Sequence, residues 1–576
     1  MKVLGMTGMG KNPGVCLMEG PRLIACAEEE RFLREKVAFG RWPINAIRYC
    51  LKTAGLTLAD LDRVAVGWNC EKYPEKMGEF FRSLDDAYPR KGDAFRDVEQ
   101  DFLWNYTPHN YLNAFNRELQ LARLGSLSDV AYYDHHHCHA AKAFHSSGFD
   151  KSLVLVLDGS GEEEATTLWE AKNGELSRLK SFHLPHSLGR VYSTITEYLG
   201  FHAYSGEGKV MGLASYGKLD PDIHEKMSQI LSVGQDGEYV VDPNFIHYGE
   251  HNFSTRFTDD LVELFGPPRR PKKRNERIPD VYKNIAYSLQ LLLEKAAEGL
   301  VRRYIRETDL RKVCIAGGVA MNCKMNGVIS SLEEVEDLFV HPASHDGGAC
   351  IGAAMLAIQE EQSDVAFEPL DHAYYGPEYR DEEIKELLGY AKLQYRRYDD
   401  VSLVVAKALE EGQVVALFQG RMEMGARALG NRSILANPLL PDTKKLLNNH
   451  VKHREDWRPF CPSVLAEYGK DFFENLKHPH YMVVATKVRP EKIHLIPSAV
   501  HVDSTARPQF VSQKTNPVFW SIIEEFRRRT GVPVIINTSF NVMGEPIINT
   551  PQEAIKCFYS TGIDLLVLEN YVLTKN

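Results

Sequence analysis

His135 and His139 stand four residues apart in the segment HHHCHAAKAF. On a helix, that spacing puts both imidazoles on one face, one turn apart. Two such nitrogens can hold one divalent metal. An apolar strand pattern follows at residues 152–157 and ends at Asp158, inside DGSGEE. A carboxylate at a strand end beside small residues suits a metal or a phosphate. A second carboxylate, Asp346, sits in HPASHDGG at the start of a small-residue helix. Taken alone it is a helix cap or turn residue, the commoner use of Asp there, and the histidines taken alone are polar loop residues. Together the four make a two-histidine, two-carboxylate set, mixed N/O ligation suited to Fe(II), Mn(II) or Zn(II).

Other motifs carry charge rather than ligands. In GEGKVMGL, Glu207 and Lys209 alternate, and in an extended segment they share a face. In the C-terminal half, Arg421, Arg427, Lys452, Arg454, Arg458 and Arg507 recur in glycine- or proline-marked segments, followed by NTSFN with Ser539 and Asn541. Guanidinium forks and ammonium point charges that converge would hold a triphosphate or an acyl phosphate, whereas any one of them alone is a surface ion-pair partner. The pair Gly317 and Gly318 follows a strand and precedes a helix, which reads equally as a phosphate cradle or a tight packing turn. The run Glu28 to Arg31 and the basic, proline-rich residues 267–274 read as solvated.

These residues need a scaffold, and the pattern supplies one. Strand signals at residues 3–6, 15–18 and 23–27 are punctuated by Gly8, Gly10, Gly14 and Gly20. An amphipathic helix is expected over 43–53, with Gly55 just past its end, and a buried strand over 151–159. A long helix capped by Asp280 leads into a strand at 312–316. Residues 361–370 read as a linker, and βα patterns resume beyond it at 414–418 and 532–536. The expected fold class is α/β, with two domains at 1–360 and 371–576.

The chain has 576 residues, 44% hydrophobic and 25% charged, ordinary for a folded protein of more than one domain. A formal charge of −10 argues against general nucleic-acid binding. The 10 cysteines are scattered without a CxxC pair, which fits reduced thiols and a cytoplasmic location. No signal peptide and no membrane span are expected.

The motifs HHHCHAAKAF, LVLDGSGEE, GEGKVMGLASYG, CIAGGVAMNCKMN, FQGRMEMGARALGNRSILANP, VKHREDWRPFCPSV and VPVIINTSFNVMGEPI follow one another along nearly the whole chain. In order and spacing the sequence resembles the O-carbamoyltransferases of the nodulation, cephamycin and tobramycin type. The resemblance implies an N-terminal actin/hexokinase-like (ASKHA) domain and a C-terminal YrdC-like domain with a KxR element, Lys452 and Arg454, and an SxN element, Ser539 and Asn541. It implies that carbamoyl phosphate and ATP with Mg(II) yield carbamoyladenylate in the second domain. Transfer to a small-molecule hydroxyl, of a natural product or sugar as in antibiotic biosynthesis, then occurs in the first. Metal ligands matching His135, His139, Asp158 and Asp346, with Fe(II) as the ion, are implied. So are Gly317, Gly318, Asn322 and Lys209 on the nucleotide, catalytic roles for Lys11, Arg421 and Arg427, and a homodimer.

Three positions depart from the family pattern. Lys11 stands where a histidine base is expected, His345 where glycine is usual, and Lys142 where a small polar residue is usual. An ordinary lysine, with a pKa of about 10.4, cannot accept a proton at neutral pH. Lys11 is therefore either desolvated enough to act as a base or a cation that stabilises negative charge, the reading favoured here. Two alternatives stay open: a nucleotide-binding homologue that has lost transfer, and a tRNA threonylcarbamoylation-type enzyme.

Overall fold

The computed structural model describes residues 1–8, 10–87, 103–248, 255–273, 275–474 and 476–575. Arg274 of the basic loop lies outside them. The chain divides into two compact units, one of Met1–Ala25 with Phe39–Pro369 and one of Cys26–Ala38 with Leu370–Asn576. Residues 26–38, placed by sequence in the N-terminal domain, are an excursion into the second unit. The run read as solvated is buried there. The Arg31 guanidinium donates to Glu28 Oε2 and to Gly425 O, each at 2.7 Å, and Gly425 N donates back to Glu28 Oε1.

The first unit is built on two five-stranded sheets of the same design. In one, β1 (Lys2–Thr7) is central, pairing antiparallel with β2 (Gly14–Glu19) and parallel with β4 (Arg63–Val66), between outer strands β3 (Arg22–Glu28) and β5 (Ala131–Tyr132). In the other, β6 (Lys151–Gly161) is central. It pairs antiparallel with β7 (Glu164–Lys172), which pairs with β8 (Glu175–His183). On its other side β6 pairs parallel with the strand Lys312–Ala316, which pairs parallel with Asp337–Val340. Both sheets thus run hairpin, hairpin, central strand, then two parallel strands. This duplicated order is the actin/hexokinase-type arrangement.

Parallel pairing explains the sequence of β6. A strand covered on both faces reads as an unbroken apolar run, and Leu153 to Leu157 are fully buried. The helices His135–Ser147 and Ala349–Glu361 pack closely enough that a Cβ on Gly352 would collide with Cys138 O, and β1 lies so near the second helix that one on Gly5 would collide with Cys350 O. The first of these helices ends at Gly148, φ 72°, a left-handed cap that glycine adopts without strain. The segment holding Glu207 and Lys209 is a helix, Glu207–Ala214, so the shared extended face does not exist. Residues two apart on a helix lie about 200° apart.

The second unit is an eight-stranded mixed sheet with a core on each face. Ala416 and Phe418 face one core and Val415 and Leu417 the other. Val534 and Ile536 are likewise set against Ile535. Period-two alternation with both sides apolar hides any amphipathic signal from the sequence. Helices Ser402–Glu410 and Pro517–Thr530 cover one face and Pro551–Tyr559 the other. Among the described residues no helix is long and apolar enough to cross a membrane.

Candidate functional site

The helix His135–Ser147 starts directly after Asp134, so His135 and His139 project from its first two turns. Asp158 comes from the end of β6, and Asp346 opens the short 3-10 turn Asp346–Gly348 that leads into Ala349–Glu361. One ligand atom from each of the four lies within 4.8 Å of all the others. The two Nε2 atoms are 3.1 Å apart. Asp158 Oδ2 is 3.7 Å from His135 Nε2 and 3.2 Å from His139 Nε2, and Asp346 Oδ1 is 3.8 and 3.9 Å from the same atoms.

Ligands about 2.1 Å from an ion stand about 3.0 Å apart when adjacent and about 4.2 Å when opposite. The five separations between an imidazole and another ligand lie between those limits. Asp158 Oδ2 is buried without a hydrogen-bond partner, while Oδ1 accepts from Gly159 N. An acceptor aimed at two imidazoles and otherwise unused is what an ion would satisfy. His135 Nδ1 lies 2.8 Å from Gly67 O, which fixes its tautomer and turns the Nε2 lone pair to the cluster. The residues fit a divalent ion.

Burial and the facing charges shift His135, His139 and Asp158 in different directions. Burial opposes charge on His135, but Asp158 and Asp346 outweigh it and hold that imidazole well above its ordinary value. Burial, reinforced by Lys142 and His135, pushes His139 down to about 4. Burial works against the Asp158 carboxylate too, but the His135 and His139 imidazoles that face it keep it well below the carboxylate range.

Glu162 was not assigned a role from sequence, although it lies inside DGSGEE. It is buried and accepts from Asn69 N at 2.6 Å and from His135 N at 3.1 Å, closing the start of the ligand helix. Burial pushes its carboxyl up to about 8. A carboxyl at a helix N-terminus is the detectable signal, but only once the fold has brought β6 there. Gly318 is also placed by this site, since a Cβ on it would stand 3.2 Å from Asp158 Oδ1. Gly317, at φ 90°, would carry a Cβ into Leu157 O. Asn322 is engaged in the protein interior, capping the helix Cys323–Ser331 and exchanging amide bonds with Gln290.

Lys11 lies beside the centre. Its ammonium is 3.8 Å from where a Cβ on Gly159 would be, and it sits over the Tyr204 ring, 3.3 Å from the centroid. Arg256 covers the same ring at 3.9 Å and donates to the phenol oxygen at 2.6 Å. Lys209, on its helix, is 5.5 Å from the centroid of Phe201.

In the second unit, the KxR and SxN residues meet. Lys452 is buried, and its ammonium donates to Ser539 O at 2.7 Å, Asn541 O at 2.8 Å and Asn541 Oδ1 at 2.7 Å. The chain reaches it through a π-helical turn, Leu447–Val451, an irregularity common at functional sites. His453 between the two basic residues is left-handed, φ 49°. Arg454 donates to Asn448 Oδ1 and to Pro459 O. Burial, then the charges of Arg454 and Arg458, holds Lys452 well below its usual value; burial, Arg458 and Arg507 act on Arg454 in the same direction. Arg507 aims its fork at Cys461 Sγ, 3.0 and 3.3 Å away. Burial and neighbouring positive charge both disfavour the charged forms of Lys452, Arg454 and Arg458, which an anion would offset. Arg421 is anchored elsewhere, on Tyr375 O and Gly376 O, and Arg427 is partly buried in the following turn.

Two family models match this chain: "Carbamoyltransferase N-terminus" over residues 2–355 and "Carbamoyltransferase C-terminus" over 406–575. An uncharacterized protein of Synechocystis sp. is 35% identical over 610 residues, covering 100% of this chain and 96% of its own length. The nodulation protein NolNO of Sinorhizobium fredii is 33% identical over 577 residues, 99% of this chain and 79% of that protein. The nodulation protein NolO of Bradyrhizobium diazoefficiens is 36% identical over 453 residues, 77% of this chain and 79% of that one.

Proposed function

The chain belongs to the carbamoyltransferase family, and from that premise we propose that it is an ATP-dependent O-carbamoyltransferase. Its second unit makes carbamoyladenylate from carbamoyl phosphate and ATP, and its first unit passes the carbamoyl group to a hydroxyl of a small molecule. The observation that carries this reading is the convergence of His135, His139, Asp158 and Asp346 within 4.8 Å in a chain that matches both family domains.

The carbamoyl carbon is a poor electrophile because its nitrogen donates into the carbonyl. Water first cleaves carbamoyl phosphate to carbamate and inorganic phosphate; carbamate oxygen then attacks the α-phosphorus of ATP, expels pyrophosphate and so attaches a better leaving group. Lys452, Arg454, Arg458 and Arg507 supply positive charge for the phosphates, and an anion there would offset the burial and neighbouring charge that weigh on Lys452 and Arg454. In the first unit, the acceptor oxygen forms a bond to the carbamoyl carbon and gives up its proton to a group other than Lys11, the bond to the phosphate oxygen breaks, and AMP leaves. His135, His139, Asp158 and Asp346 would hold a divalent ion, Fe(II) by family resemblance, whose charge would offset what develops on the phosphate. Gly317 and Gly318 keep the chain backbone close to Asp158, leaving room for the nucleotide. Lys11 acts as a cation beside Gly159 rather than as the base.

The test is carbamoyl-phosphate-dependent ATP/pyrophosphate exchange together with metal analysis of the purified protein. Exchange that requires carbamoyl phosphate, and one tightly held divalent ion per chain, are expected. Nucleotide binding without pyrophosphate exchange would instead identify a protein that has lost the chemistry.

A further inference from the structure

Lys142 is completely buried on the helix that carries His135 and His139, three residues beyond the latter. Its ammonium lies 2.8 Å from Ala343 O, 3.0 Å from Ser344 O and 3.4 Å from His345 O. It is also 3.2 Å from His139 Nδ1. An ammonium has three N–H bonds, and here three carbonyl oxygens replace the water that burial strips away. Those carbonyls belong to the three residues that immediately precede Asp346. One side chain thus spans from the histidine-bearing helix to the segment that delivers the second carboxylate.

The rest of that segment is pinned from other directions. Gly317 N donates to Ser344 O at 3.1 Å, and His345 Nδ1 accepts from Gly347 N at 3.1 Å, which closes the turn around Asp346. Neither of these bonds reaches the helix of His135 and His139. Lys142 does.

We propose that Lys142 is a positioning residue of the metal centre: a strap that fixes the 343–345 backbone against the ligand helix, so that Asp346 and the two imidazoles face one ion. The proposal rests on the metal-centre reading above. Charge and geometry give opposite signs here. A cation so near a divalent ion repels it, so if Lys142 acted by charge alone its removal would tighten metal binding. If it acts as a strap, its removal loosens binding.

Full-length apo-protein, wild type and Lys142→Met, is titrated with Co(II), with calorimetry for affinity and the visible ligand-field spectrum for geometry. The strap predicts affinity lower by ~10–100-fold, the range for residues that orient ligands, and an altered spectrum. In an Asp346→Asn background, Lys142→Met should add little further loss, because the ligand it positions is already gone. Should Lys142→Met fail to fold, Lys142→Gln is judged by the same criteria, with apo thermal melts reporting folding. Equal or tighter binding with an unchanged spectrum, or a full additive loss in the Asp346→Asn background, overturns the strap and leaves the metal centre standing. Absence of Co(II) binding by the wild type overturns both.

Discussion

His139 Nε2 lies 3.2 Å from Asp158 Oδ2, a carboxylate oxygen that is buried and accepts no hydrogen bond. A helix and a strand end each bring one half of this pair. Breaking it from either side should empty the centre. His139→Ala and Asp158→Asn are expected to lower metal affinity by more than about 100-fold, beyond the usual cost of losing an outer partner. Carbamoyl-phosphate-dependent pyrophosphate exchange in the second unit should survive. Metal content by atomic emission and the exchange assay, run on the same preparations, separate the two effects. Full metal occupancy in either variant would refute the ligand set.

Metal binding should depend on pH with a definite sign. Asp158 and Asp346 hold His135 above its ordinary value, so the ion-free centre keeps a proton that an incoming ion must expel. Affinity therefore rises with pH, by about tenfold per unit where one proton is released, and falls in acid. The same raised group contributes stability to the apo-protein that is fully present below the unfolded value, near ~6.5. That contribution is lost as pH rises through the folded value. Co(II) titrations across pH 5 to 9 test the slope, and a flat profile contradicts it.

Lys452→Met should remove the ammonium that ties Ser539 to Asn541. Exchange is expected to fall by more than about 100-fold, the scale for loss of one preorganised charge donor. The orphaned acceptors should cost about 1–3 kcal/mol of stability. Thermal melts and exchange rates check both; wild-type exchange would take Lys452 out of the phosphate site.

Lys11→Ala and Lys11→His separate the two roles weighed for that side chain. With the cationic role, Lys11→Ala leaves pyrophosphate exchange intact and slows transfer to the hydroxyl, and Lys11→His does not raise transfer above wild type. Transfer is followed by AMP release with a small alcohol as acceptor. Unchanged transfer in Lys11→Ala removes Lys11 from the mechanism.

Gly352→Ala tests the packing that sets the ligand helix. The new methyl would run into Cys138 O, backbone that cannot swing aside. A loss of about 1–3 kcal/mol is expected from overpacking, visible as a lower melting temperature. A neutral effect would mean that the two helices separate readily.

Much of the site can be read along the chain because its logic is local. The i, i+4 spacing of His135 and His139 needs only a helix, and Asp158 needs only a buried strand followed by glycines. The seven motifs carry the family, and the family models span residues 2–355 and 406–575. Other features stayed hidden for reasons of the same kind in reverse. Glu28 and Arg31 look solvated because charge is the only local cue, and they are buried because residues 26–38 leave their own unit. Glu207 and Lys209 alternate as a strand would, yet the backbone around them is helical.

The sequence by itself determined the type of many elements, the spacing of the imidazoles and the membership of the family. These depend on periodicity and on order along the chain. Only the tertiary structure decided that a helix face and a strand end bring their ligand atoms within 4.8 Å of one on a turn more than 180 residues further along the chain. It alone decided that Glu162 closes the ligand helix, and that the Lys142 ammonium is spent on the carbonyls before Asp346. Hydrogen bonds and ligand geometry act over a few ångströms of space, and nothing in the distance along a chain encodes which segments folding will bring that close.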